Sequence, residues 1–490
     1  MLSYESNSKM ELVSEARMRN PRPAMVVLIV ANFMDLMDTT VVNVALPSIQ
    51  ADLRASAAAV EWLVAAYTLG LAATLVTGGR LGDLVGIRRV FLVGVVGFTA
   101  ASMTATIAGG AEVLVLARAL QGMFAGLMVP QVLAGVQALY PPESRAPVFG
   151  LVGFITGTAS VVGPVLSGLL IDADAFGIGW RSIFVINVPV GIGLIIAAAR
   201  WVPATRSMTA VRLDLPGVGF ATAGVLGIVF GLIEGREHGW AWWTVLPLLA
   251  GPALLVVFVA WQRRVERTGG TPVLRIGLFA DRGFSSGAVI NFCLQAGLVG
   301  FFLVVTVHLQ QTLGFDALHS GLVWLGLSVG ALAGSAMAPR LVSSFGPIVM
   351  AVGALSFAVS MIIVVGTVAV PVIDGGLSWW RPAVLLIVGG VGMGLVIVPL
   401  FDVALATVPS VDAGAASGAL STIQQIGGSL GIAVIGGVFF ATSPGGARGD
   451  AVDGLWRAVA GCVVALLLVG VAALRVHRMH RGSRSPVTTG

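Results

Sequence analysis

Charge is scarce in this chain. Asp, Glu, Lys and Arg together make up 10% of the residues, against roughly one quarter in soluble domains. Lysine is almost absent, with Lys9 alone among arginines, and there are only two cysteines, Cys293 and Cys462. Both cysteines fall inside apolar runs, where they read as small packing residues and not as a disulfide or a metal pair. No GxxxxGK[ST] loop occurs anywhere in the sequence, so ATP-driven chemistry has no support. The expectation is a protein with no cofactor and no metal, driven by an ion gradient.

What fills the space instead is apolar. The 490 residues are 57% hydrophobic, and runs of about 20 apolar residues, enough to cross a bilayer, recur almost end to end. The composition predicts an integral membrane protein with no soluble domain of useful size. Fourteen spans are expected, at 25–46, 60–79, 89–109, 112–138, 146–170, 182–200, 214–233, 242–262, 284–311, 318–339, 347–370, 382–408, 415–441 and 454–475.

Basic residues set the orientation. With fourteen spans, 21 of the 28 Lys and Arg residues fall on the side of the two tails and six on the other, while Arg118 lies within a span. The positive-inside rule then places both tails in the cytosol. The net charge of +5 follows from this orientation and does not point to nucleic acid. Residues 1–24, with Lys9, Arg17, Arg19 and Arg22 but no apolar signal core, read as a cytosolic tail. The expected organisation continues with six spans over 25–200, two inserted spans over 201–262, a basic linker at 263–283 lying along the inner membrane face, six spans over 284–475 and a tail at 476–490.

Glycine-rich motifs lie between and within these spans. GGRLGDLVGIRRVF, 78–91, closes span 2 and opens span 3. Its glycines Gly79, Gly82 and Gly86 permit a sharp reversal, Asp83 is placed to face Arg80 or a helix N-terminus, and Arg88 and Arg89 hold the loop on the cytosolic side. The related APRLVSSFG at 338–346 follows the corresponding span of the second half, which suggests a duplicated architecture of the kind found in secondary transporters.

The first of these stretches resembles motif A of the major facilitator superfamily. LARALQGMFAG at 116–126 resembles motif B, with Arg118 inside span 4, and GTASVVGPVLSG at 157–168 resembles antiporter motif C, with Gly157, Gly163, Pro164 and Gly168. MDTTVVNVALP at 37–47 and WRSIFVINVPVG at 180–191 are similar to signatures of the fourteen-spanner drug:proton antiporters of that superfamily. The resemblance implies an all-α membrane fold: two six-helix bundles, with spans 7 and 8 inserted between them, around a central cavity open alternately to each side. Ser167 departs from the glycine often found in motif C, and the second half matches its motifs loosely.

Buried charge is the remaining signal. An acid at mid-bilayer costs several kcal/mol and needs a cavity, a partner or a proton. Asp35, Asp38 and Asp402 qualify, with Arg118 as the intramembrane cation, and these four are the proton-coupling candidates. On a helical wheel Asn32, Asp35, Asp38, Thr39 and Asn43 share an arc of roughly 140°.

The resemblance implies that spans 1, 4, 9 and 12 line the cavity, and the polar inventory falls on them: Gln121 on span 4, His308, Gln310 and Gln311 on span 9, Asp402 on span 12. Asp38 occupies the family's acidic position and is expected to exchange a proton; its alternative is a permanent partner for Arg118. Asp35 has no place in the motif, and is either a second proton site or a contact for cationic substrates. Asp402 reads equally as a helix-end acid facing water. His308 is a relay candidate or a satisfied core histidine, and Gln310 and Gln311 are substrate contacts or interhelical hydrogen-bond partners. Phe301, with Asn32, Thr39, Asn43 and Gln121, completes the substrate-lining candidates.

The expected function is proton-coupled export of hydrophobic, often cationic, small molecules across a bacterial plasma membrane by a monomer that is not an enzyme, its partners being substrates, protons and lipid. Arginine in place of lysine, with abundant Ala, Gly and Val, suggests a high-GC genome, in which export of one natural product made by the same cell is the first rival reading. A transport-inactive sensor or scaffold on the same fold is the second.

Overall fold

The computed structural model describes residues 21–174, 177–204, 214–369, 378–405, 408, 413–442 and 448–482. Regular structure among them is entirely helical. The tail residues 1–20 and 483–490, with Lys9, Arg17, Arg19 and Arg484, lie outside the described residues.

The first six long helices are α1 (Pro21–Leu53), α2 (Ala57–Val85), α3 (Ile87–Thr106), α4 (Ala111–Leu139), α5 (Pro142–Asp172) and α6 (Asn187–Trp201). Two more follow, α7 (Leu215–Glu237) and α8 (Trp242–Arg267). In the second half, α9 runs Arg282–Val307 and ends in a π turn, His308–Thr312. Then come α10 (Ala317–Phe345), α11 (Ile348–Ala369) and α12 (Trp380–Leu405). Helix α13 runs Ala413–Gly431, passes through a π turn at Ile432–Gly436 and closes with Gly437–Ala441, and α14 is Arg448–Gly482.

Thirteen of these helices, counted with the short turns that lead into or out of them, are long and apolar enough to cross a membrane. The 31-residue α5 fills the remaining place in the expected order. Several boundaries differ from the sequence reading, with α1 running on to Leu53 and α2 spanning Ala57–Val85. The first helix is described from Pro21 onward, ahead of the expected start at 25. The basic linker is partly helical, since α8 continues to Arg267 before a 3₁₀ turn at Ile276–Ala280.

Short polar residues start several helices. Ser56, Asp214, Asp281 and Asp316 each accept a hydrogen bond from the backbone N–H three residues on, pairing a donor that the first turn leaves free. Gly86 turns the chain between α2 and α3 at φ +100°, a conformation open to glycine and strained for other residues.

The two halves repeat one packing arrangement. Helix α2 lies along α4 as α10 lies along α12, and glycine makes both approaches possible. A Cβ on Gly122 would strike the Tyr67 carbonyl, and one on Gly330 would strike the Ile387 carbonyl. Small residues at such crossings let backbones meet without a hydrophobic driving force. The inserted pair α7 and α8 sits outside this plan. α7 touches α2 and α13, whereas α8 leans on α7 and leaves Trp242, Leu249 and Val256 at least 69% exposed, as a lipid-facing surface requires.

The core is forked. In the half of the molecule away from Pro21, Val41 and Leu46 of α1, Leu63 of α2, Val304 of α9 and Ile432 of α13 belong to one continuous apolar cluster. Toward the face that carries Pro21 the clusters separate: Leu28, Ile87, Phe91 and Val136 form one, and Phe284, Ala404 and Leu420 another. The bundles are therefore joined at the far face and parted at the face of the tails. Motif C reinforces the joined side, since Gly168 of α5 lies against the backbone of Leu318 and Gly321 of α10 against the carbonyl of Pro164. Ser167 is the exception with a purpose of its own, donating from Oγ to the Val41 carbonyl at 2.8 Å.

Candidate functional site

Four helices bring their polar residues to one point. Arg118 of α4 forms an ion pair through Nη1 with Asp38 Oδ2 of α1, both side chains 1% exposed. Asp38 Oδ1 accepts from Asn187 Nδ2 of α6 at 2.7 Å and from Gln121 Nε2 at 3.3 Å. Gln121 in turn accepts from Arg118 Nη1 at 3.0 Å and donates to Ser102 Oγ at 2.8 Å. The guanidinium also donates from Nε to the Leu63 carbonyl at 3.2 Å. A buried ion pair holds only when its remaining hydrogen-bonding capacity is met, and here the surrounding amides meet it.

Asp35 is buried one turn along α1, but its partner is different. The Tyr67 hydroxyl of α2 donates to Asp35 Oδ1, while the Tyr67 ring lies beneath Arg118, 4.2 Å from the guanidinium carbon to the centroid. Tyr67 thus connects the two carboxylates through one cation. Two acids stand on unlike supports, Asp38 on a cation and two amides, Asp35 on a neutral phenol.

The rest of the predicted polar stripe divides. Asn32 is buried. Thr39 and Asn43 satisfy themselves along α1, Thr39 Oγ1 donating to the Leu36 carbonyl at 2.7 Å and Asn43 Nδ2 to the Thr39 carbonyl at 2.9 Å. Gln310 Nε2 donates to the Val44 carbonyl at 2.8 Å and Gln311 Nε2 to Gln50 Oε1 at 2.6 Å, so both glutamines tie α9 to α1 across the joined face. His308 is fully buried at the start of the π turn, with Nε2 at 3.4 Å from the Val368 carbonyl. Phe301 has no exposed surface and meets Trp324 and Phe357 edge-on, at 5.7 and 6.4 Å between centroids. Asp402 is exposed on α12, outside the cluster.

Motif A does not close on itself. Arg80 reaches from α2 to the linker, donating from Nη1 to the Thr271 carbonyl at 2.8 Å and from Nη2 to the Pro272 carbonyl, and Asp83 is exposed. Gly82 lies under the Gln131 side chain and Gly79 faces Pro130. Arg88 Nη2 donates to the Ala199 carbonyl at the end of α6, where a cation suits the helix C-terminus, and Arg89 is exposed. Next to Arg80's anchor, Asp214 Oδ1 and Oδ2 collect hydrogen bonds from Trp261, Gln262, Gly217 N and Val273 N. Burial works against the Asp214 charge, yet these donors hold its carboxyl below the usual carboxylate range. In motif C, Gly163 sits against Thr40 of α1, while Gly157 and Pro164 lie within α5.

Sequence reasoning missed Tyr67, Ser102 and Asn187. Asn187 stood inside the quoted WRSIFVINVPVG, which was its signal. The start of that stretch works elsewhere: Trp180 Nε1 and Arg181 Nη1 both donate to Asp52 Oδ2, at 2.9 and 2.7 Å, fixing the end of α1. An open pocket of about 370 Å³ at the far face, lined by Asp316, His319, Trp379 and neighbours, contains none of the candidate residues.

A duplicated helical membrane fold with a charged site buried among α1, α2, α3, α4 and α6 defines a multi-pass transporter. The chain belongs to the Major Facilitator Superfamily, whose family model matches residues 28–432. It is 39% identical over 436 residues to a probable actinorhodin transporter of Streptomyces coelicolor, covering 89% of this chain and 75% of that protein. It is 35% identical over 479 residues to a puromycin resistance protein of Streptomyces alboniger, covering 94% and 93%. With the multidrug efflux pump LfrA of Mycolicibacterium smegmatis it shares 31% identity over 420 residues, 85% of this chain and 81% of that one. Among solved structures, a bacterial homologue of the human lysosomal transporter Spinster, inward-facing and unoccupied, aligns with a TM-score of 0.64 at 15% identity, over 96% and 100% of the two chains. The peptide transporter POT in complex with sulfate aligns at 0.68 and 14%, over 96% and 99%.

Proposed function

We propose that the chain exports hydrophobic, positively charged or protonatable small molecules in exchange for protons. One observation carries this reading: two buried carboxylates stand near one guanidinium, Arg118, which pairs with Asp38 and lies over the Tyr67 ring whose hydroxyl binds Asp35. Arginine stays protonated, so with both acids ionised the site holds one uncompensated negative charge in a low-dielectric surrounding. A proton neutralises it, and so does a substrate cation. Both together would leave an excess positive charge, so occupancy is mutually exclusive, which is the condition for antiport.

In this reading Asp38 exchanges the proton. The hydrogen-bonded Asp38–Arg118 pair is its deprotonated form, and protonation frees the guanidinium to turn toward Asp35 at the hydroxyl end of the Tyr67 ring. The excess of Arg on the face of the tails supports a cytosolic position for that face. The parted bundles then open inward, where a deprotonated site awaits substrate. The names of the relatives, among them a probable actinorhodin transporter, a puromycin resistance protein and a tetracenomycin C resistance and export protein, support the substrate class. They also favour a second reading, a dedicated exporter of one natural product.

Purified protein in liposomes tests the function. An imposed pH gradient drives accumulation of a lipophilic cation such as ethidium, and collapsing the gradient with an uncoupler releases it. Correctly inserted protein that moves none of a broad panel of cationic and neutral antibiotics under a pH gradient would refute the proposal.

A further inference from the structure

A second carboxylate–guanidinium pair lies at the far face, built by the inserted helix. Glu61 of α2 has no exposed surface. Its Oε1 accepts from Arg236 Nη2 of α7 at 2.7 Å, and its Oε2 is buried with no hydrogen-bond partner. Arg236 continues across to the other bundle, donating from Nη1 to the Gly437 carbonyl of α13 at 3.1 Å. That carbonyl opens the closing segment Gly437–Ala441 of α13, near the helix C-terminus, where a cation is favoured.

The neighbouring contacts show which side Arg236 travels with. Trp62 Nε1 of α2 donates to Glu234 Oε1 at 2.7 Å, and the Ala58 N–H donates to Glu237 Oε2 at 3.2 Å. α7 is thus fastened to α2 at three points, Ala58, Glu61 and Trp62, whereas Arg236 meets α13 through a backbone carbonyl. The charged groups facing Glu61 are Arg236, Glu234 and Glu237, all from α7. From α13 it meets backbone, with Gly436 so close that a Cβ there would lie 3.1 Å from Glu61 Oε1, and the π turn Ile432–Gly436 carries no titratable side chain.

We propose that Glu61 is a second proton-binding residue and that the Glu61–Arg236–Gly437 chain is a latch on the far face, opened when a proton arrives from that side. The inference rests on the reading of the chain as a proton-coupled exporter. The ionised Glu61 is supported by one cation and nothing else, whereas Asp38 has a cation and two amides. A buried anion left with an unmet oxygen is costly, so a proton at Glu61 removes a charge that the site barely supports. With Glu61 neutral, Arg236 loses the anchor that aims it at Gly437 and swings toward Glu234 and solvent. The bond between the bundles is then lost. Protons from the outer side would in this way favour the outward-open state, the one from which substrate leaves.

The test measures opening without needing a substrate. Spin labels are placed on exposed far-face loops of opposite bundles, at Gly109→Cys and Ser378→Cys, with Cys293 and Cys462 replaced by alanine, and distances are read in lipid nanodiscs between neutral and mildly acidic pH. Acidification is expected to lengthen the distance. Glu61→Gln is expected to give the long distance already at neutral pH and to abolish the pH response. Arg236→Gln, on a less buried side chain, gives the same open distance at both pH values and serves if Glu61→Gln does not fold. An unchanged pH response in either variant overturns the latch, as does a far face that never opens on acidification in the labelled protein with Glu61 and Arg236 intact. Absence of transport in liposomes, with the pH response and its loss in both variants intact, would instead refute the exporter reading and leave the latch standing.

Discussion

The guanidinium of Arg118 rests on the ring of Tyr67, 4.2 Å from its centroid, and the hydroxyl of the same tyrosine binds Asp35. One side chain therefore serves both the cation and the second acid of the site. Tyr67→Phe keeps the ring under Arg118 and removes the bond to Asp35, at a cost of about 1 kcal/mol; Tyr67→Leu removes both and should cost roughly 1–2 kcal/mol more, by loss of the buried cation–π contact and packing. Thermal unfolding in detergent checks the order of the two variants.

Asp35→Asn and Asp38→Asn are expected to look alike in function and unlike in stability. Each removes the uncompensated charge, so each should abolish proton-linked transport of cations. Only Asp38→Asn strands Arg118 in the protein interior, which costs about 3–5 kcal/mol, whereas Asp35→Asn weakens the hydrogen bond from Tyr67 and removes an uncompensated buried charge, a net cost of at most about 1 kcal/mol. Adding Arg118→Gln to Asp38→Asn should restore much of the stability, because no unpaired cation is then left buried. Paired melting and transport assays separate these outcomes.

Arg80 holds the linker by two adjacent carbonyls, Thr271 and Pro272. A planar fork can do this and an ammonium cannot match it. Both Arg80→Ala and Arg80→Lys should raise the rate at which trypsin cuts the segment containing Arg275 in open membranes, with alanine the faster. Equal cutting rates in all three proteins would place the linker's support elsewhere.

Asp214 caps α7 and gathers donors from α8 and the linker, and these hold its carboxyl below the usual range. A depressed folded-state value means that its contribution is complete above the unfolded value of about 4 and is lost as pH falls through the folded one. Asp214→Asn should therefore cost roughly 1–2 kcal/mol at neutral pH, the scale of a lost cap, and the gap from the wild type should close in strong acid. Melting curves across that range give the sign directly.

The helices were legible in the sequence because bilayer thickness imposes a length on each apolar run, and the tight turns because Gly86 is required where φ is positive. Asp38 and Arg118 could be picked out because charge within a span is rare. Their partners could not. Asn187 lies 149 residues from Asp38 and Ser102 is an ordinary small polar residue, so only packing reveals what they bind. Glu61 and Arg236, 175 residues apart, sit near span ends where charges normally face water, and Arg236 read as an outer-loop residue until α7 proved to extend to Glu237. Phe301 illustrates the converse, an aromatic on a helix expected to line the cavity that turns into the core against Trp324.

Proton release on substrate binding tests the shared negative charge most directly. Purified protein held at a pH where the site is protonated is mixed with the lipophilic cation tetraphenylphosphonium in weakly buffered detergent, and the released protons are counted with an indicator dye. Mutually exclusive occupancy predicts about one proton per bound cation in the wild type and none in Asp38→Asn or Asp35→Asn. Saturable binding of the cation to the wild type with no proton released would contradict the account.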